Sequence, residues 1–236
     1  MAGVAPVRLT AQIQDELDHH LYGHLKLRYS PGMVLDVAVT VEQRDAEHRP
    51  SAKLIGVGLP PLIPQQSTTI SAGKSTGVLS FFLPPTLPPG QYSLAISAET
   101  AARTADQKLE NVTIISNPVT FTVEPSAFEV SIDPFSPNRV KRGETFEVKY
   151  AAVRKNGFIG KIHTELACPG IVTDIPGLRG RGVTFVGQSD QGVIQIVVND
   201  DAQLGTPPSL RLFGVGVVED QPTFYGSVLL PLEITE

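Results

Sequence analysis

The stretch Glu144-Thr145-Phe146-Glu147-Val148-Lys149-Tyr150-Ala151-Ala152-Val153 alternates apolar and polar side chains with a period of two. Phe146, Val148, Tyr150 and Ala152 fall on one side; Thr145, Glu147 and Lys149 fall on the other. Successive side chains of a strand point to opposite faces, so the pattern predicts a strand buried on one face and wet on the other. Leu35, Val37, Val39 and Val41 repeat it against Asp36, Ala38, Thr40 and Glu42. Further strands are predicted over 51–58, 77–83, 91–98, 118–123, 127–132, 160–167, 192–198, 209–218 and 227–235. Between them stand Leu59-Pro60-Pro61, the run from Leu83 to Gly90 with its four prolines, Pro134-Phe135-Ser136-Pro137, and Gly205-Thr206-Pro207-Pro208. Proline cannot donate to a central ladder, so these clusters mark strand ends or sheet edges. Many short strands with turn signals between them predict an all-β chain built of antiparallel β-sandwiches.

Composition agrees. The 21 glycines and 20 prolines make up about 17% of the 236 residues, against roughly 12% in average proteins. Hydrophobic residues at 41% suffice for a packed core, and these values argue against a disordered chain, a coiled coil or a long-helix protein. No apolar run approaches the roughly 18 to 20 residues that cross a bilayer, so no membrane insertion is expected. A net charge of -5 gives no electrostatic footprint for nucleic acid or anionic lipid. Cys168 is the one cysteine, so no intramolecular disulfide is possible. Sparing use of thiols leans toward an extracytoplasmic bacterial setting, where stray oxidation has no reducing repair. Met1-Ala2-Gly3-Val4-Ala5-Pro6 has neither a basic start nor an apolar stretch, so a targeting segment, if there is one, is expected outside this sequence.

Two halves of the chain align. Leu35-Asp36-Val37-Ala38-Val39-Thr40-Val41 matches Phe146-Glu147-Val148-Lys149-Tyr150-Ala151-Ala152, inward position for inward position. Gly77-Val78-Leu79-Ser80-Phe81-Phe82-Leu83 matches Gly192-Val193-Ile194-Gln195-Ile196-Val197-Val198, and 117–123 resembles 226–232. The predicted architecture is two tandem sandwiches, 1–124 and 125–236, joined near Glu124-Pro125-Ser126, where proline stiffens the link. Residues 11–21 fit helical spacing (Ile13, Leu17, Leu21) as well as strand spacing (Val7, Leu9, Ala11, Ile13). A further match decides for strand: Val7-Arg8-Leu9 with Leu21-Tyr22-Gly23 aligns without a gap to Leu210-Arg211-Leu212 with Phe224-Tyr225-Gly226. It predicts that 6–29 is a hairpin, and that residues 1–29 are the closing piece of a preceding unit or part of the first.

Gly143, the alternating strand after it, and the turn Arg154-Lys155-Asn156-Gly157-Phe158-Ile159-Gly160 resemble a recurring pattern of tandem immunoglobulin-like modules in very large exported bacterial proteins. The first half departs from it: Arg44 holds the arginine place, but Asp45-Ala46-Glu47-His48 replaces the Gly-Phe-x-Gly turn. The resemblance implies an immunoglobulin-like fold and an extracytoplasmic setting, and it brings no catalytic residues with it.

Candidate chemistry is sparse. His19-His20-x-x-x-His24 is the most metal-like cluster, since imidazoles bind Zn²⁺ or Cu²⁺, with Asp15, Glu16 and Asp18 nearby. On a hairpin these residues straddle a turn, and a solvated polar turn is the plainer reading, so no metal is expected. Asp190 and Asp200 bracket a strand of about eight residues and lie too far apart to share a Ca²⁺. Cys168 and His163 are five residues apart, an odd number, which on a regular strand sets them on opposite faces; Cys168 then joins Ile162, Thr164 and Leu166, and His163 joins Glu165. Gly177-Leu178-Arg179-Gly180-Arg181-Gly182 lacks the following helix that a phosphate loop needs and reads as a turn. Tyr22, Phe224 and Tyr225 are the aromatics near hairpin turns, and they form the one candidate binding patch. The expectation is a non-catalytic structural spacer or adhesive stalk, without cofactor. Its partners would be other domains of the same polypeptide or an extracellular protein. The competing reading is an accessory module that binds carbohydrate or protein.

Overall fold

The computed structural model describes residues 7–43, 49–103, 108–173, 175–186 and 190–236. In chain order the strands are β1 (Val7–Ile13), β2 (Glu16–His19), β3 (Gly23–Lys26), β4 (Met33–Gln43), β5 (Ala52–Val57), β6 (Ser67–Ile70), β7 (Thr76–Leu83), β8 (Gly90–Arg103), β9 (Leu109–Ile115) and β10 (Val119–Val123). They continue as β11 (Phe128–Ile132), β12 (Arg139–Lys141), β13 (Thr145–Arg154), β14 (Lys161–Cys168), β15 (Ile171–Val172), β16 (Leu178–Phe185), β17 (Gln191–Val198), β18 (Arg211–Val218), β19 (Gln221–Leu229) and β20 (Glu233–Thr235). Among the described residues there is no helix, and hence none long and apolar enough to cross a membrane. Chain packing divides the molecule into two compact units. The first is Met1–Gln14, Leu35–Phe81 and Gln91–Thr122; the second is Asp15–Val34, Phe82–Gly90 and Val123–Glu236.

In the first unit β1, β4 and β7 form one sheet, and β10, β8, β5 and β6 the other, with β9 also pairing to β8. Leu35, Val37, Val39 and Val41 of β4 are all buried, as their alternation requires. Phe81 of β7, fully buried, lies close enough to β5 that a side chain on Gly56 would meet its ring at 2.7 Å.

In the second unit the run β11-β13-β17-β16 and the run β14-β18-β19 are joined through the pairing of β16 with β14 into one sheet that folds over on itself, so that β11 packs against β18 and β19. Lettered in chain order, these are strands A-B-E-D against C-F-G, the arrangement of a seven-stranded immunoglobulin constant-type sandwich. β12 adds to β20 in parallel. Val148, Tyr150 and Ala152 of β13 face a core shared with Ile162 and Leu166 of β14, Ile194 and Ile196 of β17, and Leu212 of β18. The aligned pairs Leu79 and Ile194, Phe81 and Ile196 are buried in both units.

Three expectations change. Residues 6–29 do not form one hairpin. β1 runs antiparallel to β4, and a separate short hairpin of β2 and β3 belongs to the second unit with the rest of 15–34. That segment is tied down along β19: Ser227 N–H donates to Gly32 O at 3.1 Å, and Val34 N–H donates to Ser227 Oγ at 2.9 Å. Second, Gly177–Gly182 is not one turn, because β16 begins at Leu178. Gly182 there serves close approach: a Cβ on it would meet the carbonyl oxygen of Thr164 at 2.6 Å and Tyr150 Oη at 2.7 Å. Third, the strand expected over 227–235 ends at Leu229 and resumes at Glu233, with Pro231 between.

Candidate functional site

β14 has two unlike faces. Ile162, Leu166 and Cys168 point into the hydrophobic core, and His163 and Glu165 lie on the other side, as strand alternation dictates. That outer face would be wet but for the β2–β3 hairpin. On β2 the alternation buries Leu17 and His19 and leaves Glu16 and Asp18 exposed, and β15 pairs with β2 at Ile171 and Asp18. Glu165 is thereby left only 1% exposed and His19 2%.

Three imidazoles converge on that carboxylate. His19 Nε2 is 3.2 Å from Glu165 Oε2, His20 Nε2 is 3.2 Å from Oε1, and His163 Nε2 is 3.1 Å from Oε1. Thr173 Oγ donates to Oε2 at 3.0 Å. Thr173 holds φ at 73°, an unusual conformation for a β-branched residue and one that costs of order 1–3 kcal/mol. Strain of this kind persists where the surroundings fix it, here with its hydroxyl on Glu165. The far ring nitrogens are also held: Leu21 N–H donates to His19 Nδ1 at 3.1 Å, His163 Nδ1 meets Thr184 Oγ at 2.7 Å, and His20 Nδ1 lies 3.4 Å from Thr173 Oγ. Tyr22 closes one side, its ring centroid 4.9 Å from that of His19 and 6.2 Å from that of His163. Between His163 and Glu165 the pairing of β14 with β16 slips by one residue, a local irregularity that re-aims side chains.

Burial lowers the pKa of His19 to about 4, against the pull of Glu165, with His20 and His163 adding to the lowering. Glu165 is opposed by its own burial. The close approach of His163, the hydroxyl of Thr173 and the charge of the neighbouring imidazoles nevertheless carry it below the ordinary carboxylate range. The site is therefore an ionised glutamate facing a neutral His19. Between about pH 6.5 and 4 the unfolded chain binds a proton at His19 that the folded chain refuses, so stability is lost as pH falls. Glu165 acts in the same direction at lower pH. Thermal unfolding in a chelating buffer is expected to show a loss from pH 7.5 to pH 5 of at most about 2 kcal/mol, roughly 4 to 8 °C, from His19. His19→Gln should shrink that difference; an unchanged pH slope would show that His19 is not its source.

The sequence points to only part of this constellation. His24 is not in it: it lies across the hairpin on the outer face and pairs with exposed Asp18 at 3.1 Å, while Asp15 faces Lys26. His163 and Glu165 do share a face, as their spacing implies, and Cys168 lies in the core away from His163. Tyr22, Phe224 and Tyr225 do not make an exposed platform. Phe224 and Tyr225 are neighbours on β19 and so point to opposite faces. Tyr225 is buried and stacked on Phe213, and Phe224 packs edge-on against Phe158.

The turn between β13 and β14 uses its residues structurally. Arg154 Nε donates to Asp190 Oδ1 at 3.0 Å and Nη1 to Gly160 O at 2.7 Å, and the guanidinium lies over the Phe158 ring, 5.6 Å from its centroid. Gly143 N–H donates to Val198 O. Arg44 and the residues 45–48 beside it lie outside the described residues. Arg154→Ala is expected to cost about 2 to 4 kcal/mol in a denaturant titration, since it leaves Asp190 and Gly160 O without their donors. Arg154→Lys should recover less than half, because an ammonium cannot reach both acceptors in a fork.

No family model matches the sequence, and no curated protein matches it. Among solved structures the chain is similar to a marsupial T cell receptor at 11% identity, over 99% of this chain and 74% of that one, with a TM-score of 0.29. A superposition that loose does not align individual strands; the immunoglobulin-like assignment rests on the A-B-E-D and C-F-G pairing above.

Proposed function

We propose that this chain is a non-catalytic structural part of a larger exported bacterial protein, a spacer or adhesive stalk that holds other domains apart. The observation that supports it best is the use made of the residues shared with exported immunoglobulin-like modules. Arg154, Gly157, Phe158 and Gly160 build a locked turn between β13 and β14, with Arg154 tied at both ends. Glu165, the most buried carboxylate among the described residues, is likewise enclosed against a hairpin. A sandwich fold by itself dictates no role, so the reading rests on those residues and on the low thiol content.

The test is a replacement in the full-length polypeptide. Residues 1–236 are exchanged for an unrelated tandem immunoglobulin-like pair of equal length, and surface display of the flanking domains is scored by protease accessibility on intact cells. A spacer predicts display and adhesion unchanged. Loss of adhesion with display intact would narrow it to the adhesive stalk, capture of a soluble carbohydrate or protein ligand by residues 1–236 would overturn it in favour of an accessory binding module, and a chain found only in the cytoplasm would overturn the exported setting.

A further inference from the structure

Three imidazoles and one carboxylate are more than a hydrogen-bonded clasp requires. Glu165 is already served by Thr173. His19 Nε2 and His163 Nε2 are buried and stand within 3.2 Å of its oxygens, yet neither makes a hydrogen bond there. The distances suit a bond and the directions do not. Donor atoms arranged around a common point, instead of facing one another, have this geometry. With Zn–N bonds of about 2.0 to 2.1 Å, neighbouring corners of a tetrahedral site lie about 3.3 to 3.4 Å apart, close to the 3.2 Å at which His19 Nε2 and His20 Nε2 each stand from one oxygen of the Glu165 carboxylate. Ligand atoms of His19, His20 and Glu165 all lie within 4.8 Å of one another.

We infer that His19, His20 and Glu165 form a binding site for a first-row divalent cation of the zinc type, with His163 standing against Glu165 beside it. Two imidazole nitrogens and one carboxylate suit Zn²⁺, with a fourth position for water, and disfavour Ca²⁺ and Mg²⁺, which take oxygen ligands. The outer ring nitrogens rank the ligands. A histidine that ligates through Nε2 carries its proton on Nδ1 and needs an acceptor for it. His20 has Thr173 Oγ, whose own proton goes to Glu165. His19 Nδ1 instead accepts from Leu21 N–H, so its ligation sacrifices that bond. Leu21 is 55% exposed, and water can take over its N–H. His20 is the exposed member and gives the ion its way in.

The experiment is calorimetric titration of the whole chelator-stripped chain with ZnCl₂, with melting curves in parallel. One Zn²⁺ per chain is expected, with a higher Tm and no competition from excess Ca²⁺. His20→Ala should weaken binding by about 10- to 100-fold, and His19→Ala by less. His24→Ala, on the outer face of the same hairpin, should change nothing. His20 is solvent-facing, so its variant folds and keeps the test decisive should a Glu165 variant fail to. Absence of binding up to millimolar Zn²⁺ would overturn the site, as would binding that survives His20→Ala or is lost with His24→Ala.

Discussion

Phe128→Ala is expected to remove about 3 to 5 kcal/mol from the second unit, the range for deleting a large ring from a tight core. Phe128 is fully buried on β11. Its ring is seated on a floor of glycines from β18 and β19: side chains on Gly214, Gly216 or Gly226 would each meet ring carbons at 2.7 to 2.9 Å. Val130, Phe158 and Phe224 flank that floor, but the floor itself is backbone, and a backbone ladder cannot collapse inward without breaking its hydrogen bonds. Phe158, with its ring centroid 5.8 Å away, loses its aromatic partner as well. Equilibrium unfolding in guanidinium should show the midpoint lowered with the slope unchanged. A loss under 1 kcal/mol would mean that the floor is not rigid.

Gly182→Ala is expected to cost about 3 kcal/mol or more although it adds a single methyl group. Overpacking typically costs 1 to 3 kcal/mol, and here the obstruction includes the Thr164 carbonyl, which belongs to the neighbouring strand and cannot swing away. The same methyl would press on Tyr150 Oη, which accepts from Val183 N–H at 2.9 Å and is hydrogen-bonded to Thr164 Oγ. Separating β16 from β14 would also draw Thr184 off His163. Because His163 stands against Glu165, the variant should lose zinc affinity as well as melting temperature, whereas Phe128→Ala, on β11, should lower Tm and leave the zinc affinity of the folded protein unchanged. A Gly182→Ala protein that melts like its parent would refute the close approach.

Where alternation is regular, the residues announce their own environment: β4, β7, β13 and β17 are read correctly because every second side chain is apolar and buried. β16 escaped because its glycines look like punctuation, and what they provide is room for Tyr150 and Thr164, a fact of the third dimension. The site was half visible. His163 and Glu165 are two apart on a strand whose other face is apolar, which places both on one side, but nothing local says that this side is covered. The spacing of His19, His20 and His24 drew attention to the right hairpin and the wrong third histidine. Strand alternation sends His24 outward, and the partner that His19 and His20 actually meet lies in another strand far along the chain.

That distance sets a timetable for biosynthesis. His20 and Thr173 are 153 positions apart. At about 5 to 20 residues per second, the segment bearing His19 and His20 leaves the ribosome roughly 8 to 30 seconds before the strand it must clasp. Its inward-facing Leu17 and Leu25 have to wait without their final cover for that interval, a natural opening for a chaperone to hold them.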